Sequence, residues 1–214
     1  MNSQVCAVLT GDVVNSRALE GYGECLDEVF GLFERDYREE LPLKVDRYSG
    51  DRFQVLLNDS PISLRSALYL FTKLSSMEQP IQTRISIGTG EIEDVPNGRV
   101  STGEGEAFRL SGSNLDQIKK HQRVTLETSN DVFREDENSL LRGSMDLLSA
   151  LLMNLSSAQA EVVWYKLKGL TQEDIAQKTG RRQQTVSDIL IAGYWRNLKN
   201  FLEVFEQEFG EKKY

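Results

Sequence analysis

The pattern of the chain changes between residues 127 and 140, and this change constrains the fold more than any single motif. Ahead of it, short apolar runs typical of strands alternate with amphipathic segments that have the period of a helix. Beyond it, every periodic segment has helical spacing. The stretch ETSNDVFREDENS in between is polar, rich in charge and without a period. We therefore predict an N-terminal α/β domain over residues 1–126, a linker over 127–140 and an all-α domain over 141–214.

The N-terminal domain is predicted to have the element order βαββαβαβ. Strands are expected at residues 4–9, 44–48, 52–57, 83–91 and 122–126. Helices are expected at residues 19–37, from Pro61 onward and at 104–119. The first strand is expected to stop at a polar loop that begins at Thr10, and residues 92–103 are expected to form another polar loop. This order is typical of a ferredoxin-like palm, in which helices pack on one mixed sheet.

The charge of the chain is divided unevenly. The net charge is −8, yet residues 1–140 carry 15 basic and 24 acidic side chains, whereas residues 141–214 carry ten and nine. Within residues 155–200 there are seven basic side chains and four acidic ones. The acidic total argues against a protein that coats nucleic acid over its whole surface. An acidic front half followed by a mildly basic module predicts two regions with different tasks.

Composition excludes several classes of protein. No apolar run approaches the roughly 20 residues that span a bilayer, and the N-terminus lacks the basic segment of a secretory signal. Cys6 and Cys25 are the only cysteines, and both stand in apolar settings typical of reduced thiols in a cytoplasmic protein. His121 is the one histidine, so zinc sites and serine-type triads are not expected. Any metal site must therefore use carboxylates, and we expect no membrane partner.

The C-terminal region contains a run of three short helices, in residues 155–198, LSSAQAEVVWYKLKGLTQEDIAQKTGRRQQTVSDILIAGYWRNL. A serine caps the first helix, with Glu161 near the capping-box position, and Thr171 caps the second. Gly180 provides the tight turn before the third helix. The apolar side chains of the third helix are expected to face inward, and its polar ones outward. The outward set is Arg182, Gln183, Gln184, Thr185 and Ser187.

This run resembles region 4 of sigma-70-type factors and LuxR-type modules, over about 45 residues. The resemblance implies a helix-turn-helix that binds double-stranded DNA, with the outward set reading bases in the major groove. Phosphate contacts are expected from Lys178, Arg181, Arg196 and Lys199, and Thr171 is also placed among the DNA-binding residues. Because this module has a small positive charge, we expect a homodimer that reads two half-sites. The alternative is a helical docking or dimerisation domain that does not contact DNA.

Four N-terminal segments carry a possible metal and nucleotide site. They read LTGDVVNSR (9–17), RYSGDRFQVLL (47–57), RISIGTGEIED (84–94) and GEAFRLSG (105–112). Asp12 follows the first strand and Asp51 stands in the hairpin, so a palm sheet is expected to bring them together. Paired carboxylates bind hard cations such as Mg²⁺, which in turn clamp a nucleoside triphosphate. Gly11 and Gly50 would let the backbone approach phosphates closely.

These segments resemble class III nucleotide cyclases and GGDEF diguanylate cyclases, and together with the helical module they most resemble the SatD family. The resemblance implies a nucleotide-cyclase-type palm, with metal held by Asp12 and Asp51. It implies nucleotide contacts at Gly11, Asp12, Val13, Gly50, Asp51 and Arg109. The chain departs from the cyclase pattern at three positions, Arg52, Arg109 and Ser113. Arg52 stands where an acid follows the hairpin Asp, and it is expected to pair with Asp51 and to compete with the metal.

Three functions remain open from the residues. The first is a DNA-binding regulator whose front domain dimerises or senses a nucleotide. The second is a Mg²⁺-dependent nucleotide cyclase or nucleotidyltransferase that uses the helical module for docking. The third is a protein-interaction adaptor with neither activity. The departures favour the first over the second, and the basic and amide residues at 181–187 favour it over the third.

Overall fold

The structure is a computed structural model that describes residues 5–129 and 135–211. Its main sheet has five strands: β1 Cys6–Val13, β2 Asp46–Tyr48, β3 Arg52–Leu57, β4 Thr83–Gly90 and β7 Val124–Thr128. Their order in the sheet is β2-β3-β1-β4-β7. The central strand β1 runs antiparallel to both β3 and β4, whereas β4 and β7 are parallel. The predicted α/β architecture with a mixed palm-type sheet is therefore confirmed.

Two boundaries predicted from the sequence were wrong. The strand expected to stop at Thr10 continues to Val13, because β3 and β4 supply ladder partners on both sides up to Asp12. The loop expected at 92–103 contains β5, Ile92–Asp94, which pairs with β6, Glu104–Gly105. The predicted hairpin is present: Tyr48 lies opposite Arg52 around its turn.

Helices cover both faces of the sheet. On one face lie α1, Tyr22–Asp36, and α2, Ser63–Ser75, and they form the main core with Leu9 and Val55 of the sheet. On the other face lies α3, Glu106–Gln117, which packs on Val8 through Ala107 and Phe108. Successive side chains of a strand point to opposite faces, and this period divides β1 between the two cores.

The helix α4, Glu135–Met153, covers the free edge of β7. The Ser149 hydroxyl accepts hydrogen bonds from the Arg123 and Val124 N–H groups and donates one to the Val124 carbonyl. Further along, Arg142 pairs with Glu127. An uncovered edge strand is a template for unwanted strand pairing, and α4 removes that edge.

The remaining helices are α5 Ser157–Leu167, α6 Gln172–Thr179, α7 Gln183–Ala192 and α8 Trp195–Glu211. They share the main core with the sheet, because side chains such as Trp164, Leu202 and Phe205 are buried in it. Polar contacts hold the same junction. Arg65 of α2 makes two hydrogen bonds to Glu206 of α8, at 2.6 and 3.0 Å. The division into two domains stays a prediction, and residues 130–134 of its linker lie outside the described residues.

None of the helices in the described parts of the chain is long and apolar enough to cross a membrane.

Candidate functional site

The first candidate site lies at the end of β1, where Asp12 stands between two arginines. Arg52 of β3 and Arg84 of β4 are its direct neighbours in the sheet. Arg84 donates from Nε to Asp12 Oδ1 at 2.9 Å, and its Nη2 donates to Oδ2. Asp12 is only 7% exposed. A bidentate guanidinium is a strong partner for a carboxylate in such a position, so the charge of Asp12 is compensated within the chain.

Asp51 lies next to this pair but has a different partner. Its backbone carbonyl accepts a hydrogen bond from the Val13 N–H at 3.1 Å, so the structure does bring the two aspartate-bearing segments together. Its Oδ2 accepts the Ser16 hydroxyl at 2.7 Å. The expected pairing of Asp51 with Arg52 was wrong. Arg52 instead donates to Asp116 of α3 at 2.9 Å, because its side chain points to the face that α3 covers.

Packing and turn geometry account for Gly11, Val13 and Gly50, three residues of the predicted nucleotide set. A Cβ at Gly11 would lie 2.3 Å from the Phe53 ring, so packing on β3 requires glycine there. Val13 is buried in the main core, and its N–H is already used by Asp51. Gly50 is exposed in the hairpin turn with a φ of 79°, a conformation that favours glycine.

Arg109 is not brought next to Asp12. It is exposed on α3. The α3 residue near this end of the sheet is Asp116, which pairs with Arg52, the neighbour of Asp12 on β3. Seven residues of helix separate the two, roughly 10 Å along the axis. The hydroxyl of Ser113 donates to the Arg109 carbonyl at 2.7 Å and stays within its own helix.

The motifs around Asp12 and Asp51 predicted a divalent metal ion between the two carboxylates. Both oxygens of Asp12 are engaged by Arg84, and Asp51 accepts from Ser16. Within residues 5–129 and 135–211, no three acidic, histidine or cysteine side chains are grouped so that they could hold a metal ion. As arranged, these residues do not fit a divalent cation, which needs several free oxygen ligands. The metal site stays a prediction, and no chemical step is derived through it.

Sequence reasoning missed the residues that occupy the polar groups of this site. Arg84 was part of a recognised segment, but its pairing depends on the register between β1 and β4, which local patterns do not give. A buried hydrogen-bond chain ties α3 to the same face. Gln54 donates to Thr10 at 3.0 Å, and Thr10 donates to Ser111 of α3 at 2.8 Å. A Cβ at Gly88 would lie 2.3 Å from the Ala107 carbonyl, so glycine allows the close contact between α3 and β4.

The second candidate site is the surface at the N-terminus of α7. A core of Val162, Ile175, Val186 and Leu190 joins α5, α6 and α7. The turn between α6 and α7 includes Gly180, whose φ is 67°. As expected, the polar side chains at the start of α7 face outward. Arg182, Gln183, Gln184 and Thr185 are exposed, and Ser187 is half-buried.

Capping boxes fix the start of α5 and α6. Thr171 accepts from the Asp174 N–H at 3.1 Å, and its own N–H donates to the Asp174 carboxylate at 3.0 Å. The bonds from the Thr171 hydroxyl and N–H hold the pKa of Asp174 below its ordinary value. At α5 the capping partner of Ser156 is Gln159, not the expected Glu161. The N-terminal turns of these helices are therefore well defined.

Several predicted phosphate contacts have partners inside the chain. Arg181 is half-buried and pairs with Glu161 of α5 at 2.5 Å. Lys199 lies 3.4 Å from Glu203 in the next turn of α8. Lys178 and Arg196 are exposed. On α7 itself, Gln184 donates to Asp188 at 3.1 Å, so one acid lies beside the polar surface.

No family model matches the chain, and no curated protein matches it. Among the solved structures that resemble it are three cyclases. The guanylyl cyclase Cya2 has 16% identity and a TM-score of 0.43, over 70% of this chain and 81% of that one. The adenylyl cyclase CyaB from P. aeruginosa has 13% identity and a TM-score of 0.45, over 65% and 81%. An adenylate/guanylate cyclase/hydrolase from Silicibacter pomeroyi has 21% identity and a TM-score of 0.40, over 55% and 71%. The likeness concerns the fold of the sheet region.

Proposed function

We propose that the chain is a cytoplasmic DNA-binding regulator in which α6 and α7 form a helix-turn-helix and the palm-type sheet region serves as its scaffold. One observation carries the proposal: the N-terminal turn of α7 presents Arg182, Gln183, Gln184 and Thr185 to solvent beside a packed three-helix core. Helix-turn-helix proteins read bases from the same part of their second helix. Arginine and glutamine are suited to hydrogen bonds with guanine and adenine.

The contact set is smaller than the sequence suggested. Thr171 and Arg181 are engaged in a cap and an ion pair, so we assign them to the stability of the module. Lys178 and Arg196, which are both exposed, remain as candidates for phosphate contacts. The acidic partner of Gln184, Asp188, must release its amide when an adenine is bound.

A second copy of the chain is part of this proposal, since one weakly basic module neutralises few phosphates. Apolar surface in the helical region supports it. All six large hydrophobic side chains exposed within the described residues belong to this region: Leu140, Leu147, Met153, Ile191, Tyr194 and Val204. Leu147 and Phe201 also line a groove of about 230 Å³ between α4 and α8. Exposed apolar surface of this kind is typical of protein interfaces.

The enzymatic alternative has less support from the site. A cyclase-type mechanism depends on a metal between two carboxylates. Here the Arg84 guanidinium engages both oxygens of Asp12. A palm that keeps the fold without an available metal site fits a scaffold or sensor role better than catalysis.

The test is a fluorescence-anisotropy titration of selected genomic fragments and of random DNA. We expect Gln184→Ala to weaken binding to the preferred fragment about tenfold or more, and to leave random DNA almost unchanged, because a good base contact contributes about 1–3 kcal/mol. Gln207→Ala is the matched control, since Gln207 donates to Glu211 four residues on, as Gln184 does to Asp188. The proposal fails if the wild type binds no fragment at low salt, or if the two variants behave alike.

A further inference from the structure

A cleft of about 380 Å³ lies where α1 ends and the chain turns towards β2. Three cations line it: Arg35 near the end of α1, Arg38 just beyond it, and Lys44 farther along the loop. The apolar residues Leu41, Pro42 and Leu43 form another part of its wall. The cleft therefore combines cations from α1 and from the loop after it with an apolar surface, in a chain whose net charge is −8.

Glu34 lines the cleft, Asp36 lies beside it, and both carboxylates have hydrogen-bond partners. Glu34 accepts the Val45 N–H at 2.9 Å. Asp36 accepts the Tyr69 hydroxyl at 2.7 Å and pairs at 2.6 Å with Lys168, which directly follows α5. Its distance to Arg35 is longer, 3.4 Å, and the Arg35 side chain is 61% exposed. Three cations and one acid, Glu34, therefore line the cleft, so its lining carries a net positive charge.

The end of a helix favours cations, and Arg35 and Arg38 follow that rule. The helix end does not account for Lys44, which stands eight residues after Asp36, or for the concave apolar wall. Convergent cations from separate segments around a concave surface are what an anionic ligand needs. Guanidinium groups suit phosphate in particular, because their N–H groups match two of its oxygens.

We infer that this cleft binds a small organic phosphate with two or three negative charges, of the size of a nucleoside diphosphate. Its volume lies within the range of about 300–1,000 Å³ that is usual for small-molecule sites. Arg35, Arg38 and Lys44 bind the phosphate groups, and Leu41 to Leu43 contact the organic part. The site is separate from the Asp12 end of the sheet and does not depend on the proposed DNA-binding function.

Isothermal titration calorimetry at low ionic strength tests this inference, with inorganic phosphate, pyrophosphate and ADP as probes. We expect the full chain to bind pyrophosphate and ADP more tightly than phosphate. Arg38→Gln/Lys44→Gln should lower the affinity for ADP at least about tenfold, because hydrogen bonds to charged groups contribute strongly. Lys119→Gln/Lys120→Gln removes the same charge from exposed positions outside the cleft and should change nothing. Thermal unfolding of each variant checks that the fold is retained.

Three results would overturn the inference. The first is that the wild type binds none of the probes at millimolar concentration, and the second is that both double variants bind ADP equally. The third is that no probe binds and Arg38→Gln/Lys44→Gln loses affinity for duplex DNA. The last result would mean that the cations serve the DNA backbone. Gln184→Ala separates the two proposals, since it should weaken DNA binding and leave ADP binding intact.

Discussion

The Asp12 end of the sheet and the start of α7 both carry motifs, but they differ in what surrounds their polar groups. At the sheet, Arg84 engages Asp12, and Arg52 reaches across to Asp116. At α7, Arg182 and Gln183 extend into solvent from a well-packed core. A motif gives the residue types that a reaction or a contact needs. Whether those groups are available for a ligand depends on the partners that the fold gives them.

The strongest test of this comparison is to remove the cation that engages Asp12. Arg84→Ala leaves a buried carboxylate without its partner, and we expect it to lower the free energy of unfolding by about 3 kcal/mol or more, measured by urea denaturation. Arg84→Gln combined with Asp12→Asn removes both charges and should recover most of this loss.

The same variant tests the metal prediction. Mg²⁺ or Mn²⁺ alone should not raise the Tm of the wild type, and should raise that of Arg84→Ala, where no guanidinium of β4 engages Asp12. A clear rise in the wild type that Asp12→Asn/Asp51→Asn abolishes would mean that the sheet site binds ligand despite Arg84, and it would restore the sensor hypothesis.

A smaller loss of unfolding free energy is expected at Asp36, which joins the sheet region to the C-terminal helices through Lys168. Although burial acts to raise it, the hydrogen bonds from Lys168 and Tyr69 hold the pKa of Asp36 below its ordinary value. Asp36→Asn should cost about 1–3 kcal/mol of unfolding free energy at neutral pH. The lowered pKa means that this stabilisation is present above the ordinary carboxylate pKa of about 3.9 and is lost as the pH falls through the folded value. If the wild type and Asp36→Asn differ in stability by the same amount in neutral buffer and in strong acid, this account is contradicted.

The salt dependence of DNA binding tests the exposed surface around α7. Arg196→Ala should weaken binding to specific and random DNA about equally, and should reduce the slope of log affinity against log salt by about 0.9. Lys199→Ala should have a smaller effect, because Glu203 is its neighbour in α8. An unchanged slope in both variants would place the phosphate contacts elsewhere.

The smallest change in the free energy of unfolding is expected when Arg52 is replaced. Its ion pair with Asp116 joins two exposed side chains, and such pairs contribute about 0–1 kcal/mol. Arg52→Glu would supply the acid that cyclase-type hairpins have, yet Arg84 would still engage Asp12. We therefore expect no metal-dependent Tm shift in Arg52→Glu alone, and a shift only when Arg84→Ala is added. A shift in the single variant would show that Arg52 controls the site.

The sequence alone determined the elements whose signals are local. Helical periodicity predicted the buried face of α1 through Phe30 and Phe33, and both side chains are buried. Turn residues predicted the hairpin at Ser49 and Gly50, whose φ values are 51° and 79°. The inward positions of α7, such as Val186, also followed from spacing. These predictions succeed because caps, turns and periods involve residues a few positions apart.

Only the tertiary structure decided which polar groups are engaged. Arg84 and Asp12 are 72 residues apart, and their pairing depends on the register of two strands. Lys168 and Asp36 meet because the ends of α5 and α1 pack together, and Gly88 allows the close approach of α3 to the sheet. Many charged residues were equally plausible partners in the sequence. The choice among them is made by packing of the whole sheet and its helices, which no short window of the chain contains.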